Sequence, residues 1–175
     1  MRIEVSEQPL AALQEYASVP IWFEVESIFE VIQRDGHPPG FTLKERRVDV
    51  PYIKNYDAIE GEQPHQWAKR FDVSDGGVFI AYVEGRHTGG AVVAFDSPGL
   101  SMLEGRKDLA VLWDIRVSPE SRGQGIGSAL FRAAEAWAQA HGCRCLKVET
   151  QNINVAACKF YAEQGCVLAA VNHHA

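Results

Sequence analysis

The clearest change of hydrophobic period in the chain falls between Trp113 and Ala140. Trp113, Ile115 and Val117 alternate with Asp114 and Arg116, the period of two that marks a half-buried strand. The whole run Leu109 to Val117 reads as that strand, and Ser118-Pro119-Glu120 ends it, because proline has no N–H to give a ladder. From Ser128 to Ala140 the period becomes helical, with Leu130, Ala133, Ala134 and Trp137 on one face. Arg122-Gly123-Gln124-Gly125-Ile126-Gly127 lies between the two. The order strand, glycine turn, helix aims backbone N–H groups at one point, where the helix dipole favours an anion. Glycines let a phosphate approach the backbone closely.

The same reading places the other elements. Leu10 to Tyr16 is a short helix or a loose arm, and Ile21 to Ile32 and Phe41 to Val50 are strands around a turn at Arg34–Gly40. His65 to Phe71 suggests a short helix. Gly77 to Val83 and His87 to Phe95 form a hairpin across Glu84-Gly85-Arg86. Beyond the long helix, His141-Gly142 is a stop signal and Cys143 to Glu149 a strand. A helix over Asn154 to Gln164, capped by Asn152 or Asn154 and ended by Gly165, leads to a last strand at Cys166 to Val171. Antiparallel strands followed by strand, helix, strand, helix, strand make an α/β or α+β fold with a mixed sheet.

Composition narrows the partners. The chain has 175 residues, 46% of them hydrophobic and 23% charged, which suits one soluble domain over 1–175 with a sizeable core. Its net charge of −6 is uneven: residues 1–65 hold 6 basic and 12 acidic side chains, and the remainder 11 of each. The domain therefore divides into an acidic part, 1–65, facing an acceptor, and a core at 77–171. No basic footprint for nucleic acid is present, whereas an acidic third suits a cationic small molecule. Nothing reads as a signal peptide or as the ~18 apolar residues that span a bilayer, so a cytoplasmic location without membrane contact is expected. Cys143, Cys145, Cys158 and Cys166 have neither the spacing nor the histidine partners of a zinc site, so reduced thiols and no metal are expected. His173-His174 reads as a frayed terminus.

The glycine string excludes two phosphate sites. No lysine follows it, as a nucleotide P-loop requires, and Gly127 comes one place too early for the dinucleotide fingerprint. Its Arg-x-x-Gly-x-Gly spacing resembles the pyrophosphate loop of the GNAT acetyltransferase superfamily. Glu149-Thr150-Gln151-Asn152-Ile153-Asn154 with Cys158-Lys159-Phe160-Tyr161 resembles that superfamily's second signature. Together with Pro51, Tyr52, Lys54, Tyr56 and Asp57, the pattern is similar to the branch of streptothricin acetyltransferases.

The resemblance implies acetyl-CoA as co-substrate and an amine on a cationic antibiotic as acceptor. It implies a sheet that splays between the strands ending at Val117 and Glu149. Backbone groups of Ile115, Arg116 and Val117 would pair with the pantetheine arm. Those of Gly123, Gln124, Gly125, Ile126, Gly127 and Ser128 would hold the pyrophosphate, with Arg122 adding charge. Asn154, Ala157, Phe160 and Tyr161 would complete the cofactor site from the second helix, Asn154 bonding the pantetheine and Tyr161 protonating the leaving thiolate. It also implies two strands after that helix, of which the sequence provides one; either it is a fragment, or another segment, one from a partner in a homodimer included, fills the edge. An amine of pKa near 10 needs a base, for which Asp114 and Glu149 are candidates alongside a water-mediated route. Tyr52 and Tyr56, with Asp114, are candidate acceptor contacts, since aromatic faces attract cations. Two other readings stand beside this one: transfer to a peptide N-terminus, and a non-catalytic acyl-CoA-binding module.

Overall fold

The computed structural model describes residues 2–35 and 40–172. In chain order the elements are β1 (Ile3–Gln8), α1 (Leu13–Tyr16), β2 (Phe23–Arg34), β3 (Gly40–Lys54), β4 (Gly77–Val83), β5 (Arg86–Ala94), β6 (Leu109–Val117), α2 (Ile126–Ala140), β7 (Cys145–Val148) and α3 (Val155–Glu163). Short 3-10 turns join several of them. The chain falls into two compact units, Met1–Trp22 with Asn55–Glu149, and Phe23–Lys54 with Thr150–Ala175.

The first unit is built on a mixed sheet in the order β1-β4-β5-β6-β7, antiparallel except for the parallel pair β6 and β7. Strand β1, which the sequence reading leaves in a weakly patterned arm, pairs Ile3–Gln8 with Val83–Val78. Its signal is the brief alternation of Ile3 and Val5 with Glu4 and Ser6. The turn between β4 and β5 is Glu84-Gly85, both at positive φ, the twist a two-residue hairpin requires. Helix α2 covers one face of the sheet and buries Leu130, Ala134 and Trp137 there; the Trp137 indole donates to Glu7 at 2.9 Å. The other face carries a core of Tyr16, Trp67, Phe71, Ile80 and Val111. Trp67 meets Tyr16 and Trp113 edge-on at 5.9 and 6.3 Å, contacts worth about 0.5–1.5 kcal/mol each beyond burial. Tyr16 reaches this core because β5 has glycine beneath it: a Cβ on Gly90 would stand 2.5 Å from the ring.

Strand β6 departs from simple alternation. Val92 faces Asp114 and Val93 faces Leu112, so Trp113 is an extra residue, a β-bulge. The bulge resets the side chains. Val111, Trp113 and Arg116 all reach the Tyr16 core, at a spacing of two and then three. A charged member of the expected alternation is therefore its most enclosed residue: Arg116 is 3% exposed, and Trp113, Asp114 and Ile115 are half-buried.

The second unit holds the antiparallel hairpin β2–β3 and helix α3. Pairing is interrupted between Val25–Tyr52 and Ser27–Arg47, the stretch of β3 that contains Pro51, which has no N–H to donate. A two-stranded hairpin alone is marginal. Here α3 supports it: Lys159 pairs with Glu45 at 2.7 Å, and Asn152 exchanges two 2.9 Å bonds with the backbone of Phe29. Asn154 is the α3 cap, its side chain accepting from Ala157 N at 3.1 Å. The helix ends in a Schellman motif, with Gly165 at φ 89° and Cys166 N bonding Tyr161 O. The strand expected at Cys166–Val171 is not formed. Among the described residues no sheet ladder includes it, and a strand needs a ladder to form. His173 and His174 lie outside the described residues.

Candidate active site

The glycine loop is built as its sequence demands. Ser118 N bonds Thr88 O at 2.8 Å, which carries the end of β6 into a 3-10 turn at Pro119–Ser121. Gly123 (φ 73°) and Gly125 (φ 84°) then take left-handed backbone that side chains with a Cβ seldom adopt. Gly125 is the N-cap of α2, and no side chain caps that helix. The first intrahelical bond runs from Ala129 N to Gly125 O, so the N–H groups of Ile126, Gly127 and Ser128 lie in the uncapped first turn. A Cβ placed on Gly123 would meet nothing within 4 Å. The loop thus presents backbone donors at the positive end of a fifteen-residue helix, an anion cradle.

Arg122 does more than lend charge to this loop. Its Nε donates to Val117 O at 3.1 Å and its Nη2 to Trp22 O at 2.8 Å, and the guanidinium lies 5.8 Å from the centre of the Trp22 ring. Burial lowers its pKa. Two of its three nitrogens brace backbone on either side of the loop.

Upstream, the sheet opens. Pairing of β6 with β7 stops at Leu112–Val148, and the Trp113 bulge follows at once. Beyond it, the β7-side edge of Asp114 to Val117 has no strand partner among the described residues. Such an edge offers N–H and C=O groups to an extended ligand. Ile115 and Val117 are half-buried beside it, and Glu149, the residue after β7, is exposed. Asp114 is enclosed, its side chain 8% exposed and ion-paired with Arg116. Burial raises its pKa, against the opposing pull of Arg116.

The first unit holds Arg122 to Ser128, Asp114 to Val117, Glu149 and Tyr56, which begins the 3-10 turn Tyr56–Ala58. Tyr52, Asn154, Ala157, Phe160 and Tyr161 belong to the second unit. There Tyr52 is exposed on β3, and Phe160 and Tyr161 are half-buried with rings 5.2 Å apart. Two residues of the first unit escaped the sequence reading. Asp57 and Tyr16 both face Arg116; Asp57 stands in the Pro51–Asp57 motif, but only the fold brings it to β6.

Comparison with known proteins matches residues 27–166 to the family described as Acetyltransferase (GNAT) family. The chain belongs to the GNAT acetyltransferase family. It is an acetyl-CoA-dependent N-acetyltransferase by that membership, and the mixed sheet with flanking helices is the GNAT fold. This acetyltransferase is 28% identical to streptothricin acetyltransferase A of Bacillus subtilis (strain 168), over 75% of its own length and 68% of the relative's. It is 30% identical to the streptothricin acetyltransferase of Streptomyces lavendulae, over 82% and 70%. Among solved structures it resembles nourseothricin acetyltransferase, with a TM-score of 0.74, 26% identity and 98% and 87% of the two chains covered. A candidate streptothricin acetyltransferase of Bacillus anthracis str. Ames, solved with acetyl coenzyme A, shares the fold at a TM-score of 0.70, with 23% identity over 93% and 83%. Four free thiols occur, and among the described residues no three metal-ligating side chains converge. No helix is long and apolar enough to cross a membrane.

Proposed function

We propose that this acetyltransferase transfers the acetyl group of acetyl-CoA to an amine of a cationic small molecule of the streptothricin class. The observation that carries the reading is the uncapped N-terminus of α2 behind Gly123 and Gly125, reached directly from the splayed end of β6. The likeness to streptothricin acetyltransferases supports the acceptor class.

In this reading the N–H groups of Gly123 to Ser128 hold the pyrophosphate, and Arg122 keeps the loop in shape. Backbone groups of Ile115, Arg116 and Val117 pair with the pantetheine amides, and one N–H polarises the thioester carbonyl. Asn154 spends its carbonyl on capping α3, so its NH2 is the end that meets pantetheine. Ala157 and Phe160 line the arm. Bound acetyl-CoA supplies the activated acyl group. The neutral amine forms the new C–N bond as the C–S bond breaks, and Tyr161 donates its phenolic proton to the departing thiolate as the tetrahedral adduct collapses. Of the two carboxylates at the splay, Glu149 is exposed and takes the amine proton, directly or through water, while Asp114 is committed to Arg116. Tyr52 and Tyr56 contact the acceptor.

The test is thiol release from acetyl-CoA with streptothricin and with a peptide bearing a free N-terminus, the products identified by mass. Acetylated streptothricin is expected. Release with the peptide alone overturns the acceptor assignment, and tight acetyl-CoA binding without transfer to any amine overturns the enzyme reading.

A further inference from the structure

Beside the splayed strand lies a charged cluster that the reading above does not use. The Arg116 side chain is 1% exposed, and every nitrogen of its guanidinium is engaged. Nε and Nη2 donate to Asp114. Nη1 donates to Val19 O at 3.0 Å and meets both carboxylate oxygens of Asp57 at 3.3 Å. The Tyr16 ring lies 4.9 Å from the guanidinium carbon. Two carboxylates against one guanidinium leave one negative charge in excess.

That excess sits on Asp57. Asp114 is enclosed, 8% exposed, and receives two nitrogens of Arg116. Asp57 is 26% exposed and receives one nitrogen, shared with a backbone carbonyl. A carboxylate accepts about four hydrogen bonds, so Asp57 has capacity on its outer side. Inside the cluster, Tyr16 packs against the same pair. The Tyr16 hydroxyl is wholly buried and has no partner at hydrogen-bond geometry among the described residues, although Asp114 and Arg116 both act on it. Burial first, and the Asp114 charge second, hold the phenol well above its ordinary pKa. Tyr16 therefore stays neutral, and of the two carboxylates on Arg116 it is Asp57 that faces outward.

The reacting amine must be neutral, so it cannot be the group that answers this charge. A second, non-reacting ammonium can. We propose that Asp57, oriented by Arg116, receives a non-reacting ammonium group of the acceptor beside the splayed end of β6, and so selects acceptors with at least two cationic groups. A carboxylate half-withdrawn from water meets an ammonium at lower effective dielectric than an exposed one, which gives the contact its discriminating strength. This inference rests on the proposed transfer to a cationic amine.

The experiment compares the wild type with Asp57→Asn and Asp57→Glu, measuring kcat and KM for streptothricin and for a monoamine such as benzylamine. Acetyl-CoA affinity is followed by calorimetry. For Asp57→Asn we expect KM for streptothricin to rise about tenfold to a hundredfold, the cost of losing a charged hydrogen bond. kcat, benzylamine KM and acetyl-CoA affinity should stay within about twofold. Asp57→Glu should recover part of the loss, and added salt should raise the wild-type streptothricin KM but not that of Asp57→Asn. An unchanged KM, or equal rises for both amines, overturns the proposal while leaving acetyl transfer intact. If Asp57→Asn does not fold, the wild type decides: a streptothricin KM indifferent to salt overturns it. Wild-type protein that acetylates no amine overturns this inference and the reading beneath it together.

Discussion

Two residues show how position overrides chemical type. Arg116 and Asp114 read as the solvent side of an amphipathic strand, yet they lie within the Tyr16 core as an ion pair. Removing one partner of such a pair leaves an uncompensated buried charge, so Arg116→Met should destabilise the protein by about 3–5 kcal/mol in thermal or denaturant unfolding. Gly90 is the converse case, a residue whose lack of a side chain matters. A Cβ there would stand 2.5 Å from the Tyr16 ring and 2.7 Å from Phe79 O. Gly90→Ala should cost about 1–3 kcal/mol, read as a lower Tm. Tyr161→Phe tests the chemistry: kcat should fall by about two to four orders of magnitude with acetyl-CoA affinity kept. Undiminished turnover would exclude Tyr161 as the acid.

At the scale of elements, the loop ahead of α2 and the contact of α3 with its hairpin make separate predictions. Gly125 caps α2 in left-handed backbone at the proposed pyrophosphate site. Gly125→Asp should strain that turn and set a carboxylate against the phosphates, abolishing acetyl-CoA binding in calorimetry. In the second unit, the Lys159 ammonium foremost, with the Ser27 hydroxyl, holds the Glu45 carboxyl below the usual glutamate range. The folded pKa lies below the unfolded one, so the contribution is present above the ordinary glutamate pKa and is lost as pH falls through the depressed value. Tm measured from pH 6 downward to about 3 should fall less steeply in Lys159→Met than in the wild type. Asn154→Ala removes the α3 cap and should lower stability by about 1 kcal/mol.

At the scale of the molecule, the order of elements from Gly77 to the end of α3 follows from local pattern. Period two, the glycine turn, period 3.6 and the helix-ending Gly142 and Gly165 are each properties of neighbouring residues. They mark the anion cradle at Gly123–Gly125 and the cap at Asn154 without knowledge of any distant contact. The branch-specific motifs also point to the GNAT family, to which the matched residues 27–166 assign the chain. What local pattern left open is whatever depends on partners far away in sequence. Strand β1 forms because β4 supplies a ladder 70 to 80 residues distant, as Ile3 opposite Val83 and Gln8 opposite Val78 show; the apolar run Cys166–Val171 joins no ladder among the described residues and forms no strand. The bulge at Trp113 arises from the register of β5 against β6, and it alone decides that Arg116 turns inward to meet Asp57, 59 residues earlier. Sequence by itself determined the order of strands, glycine turn and helices from β4 to α3, because those are set by neighbours. Only the tertiary structure decided which charges are enclosed, where the sheet opens and which carboxylate faces outward, because register and burial belong to the assembled sheet.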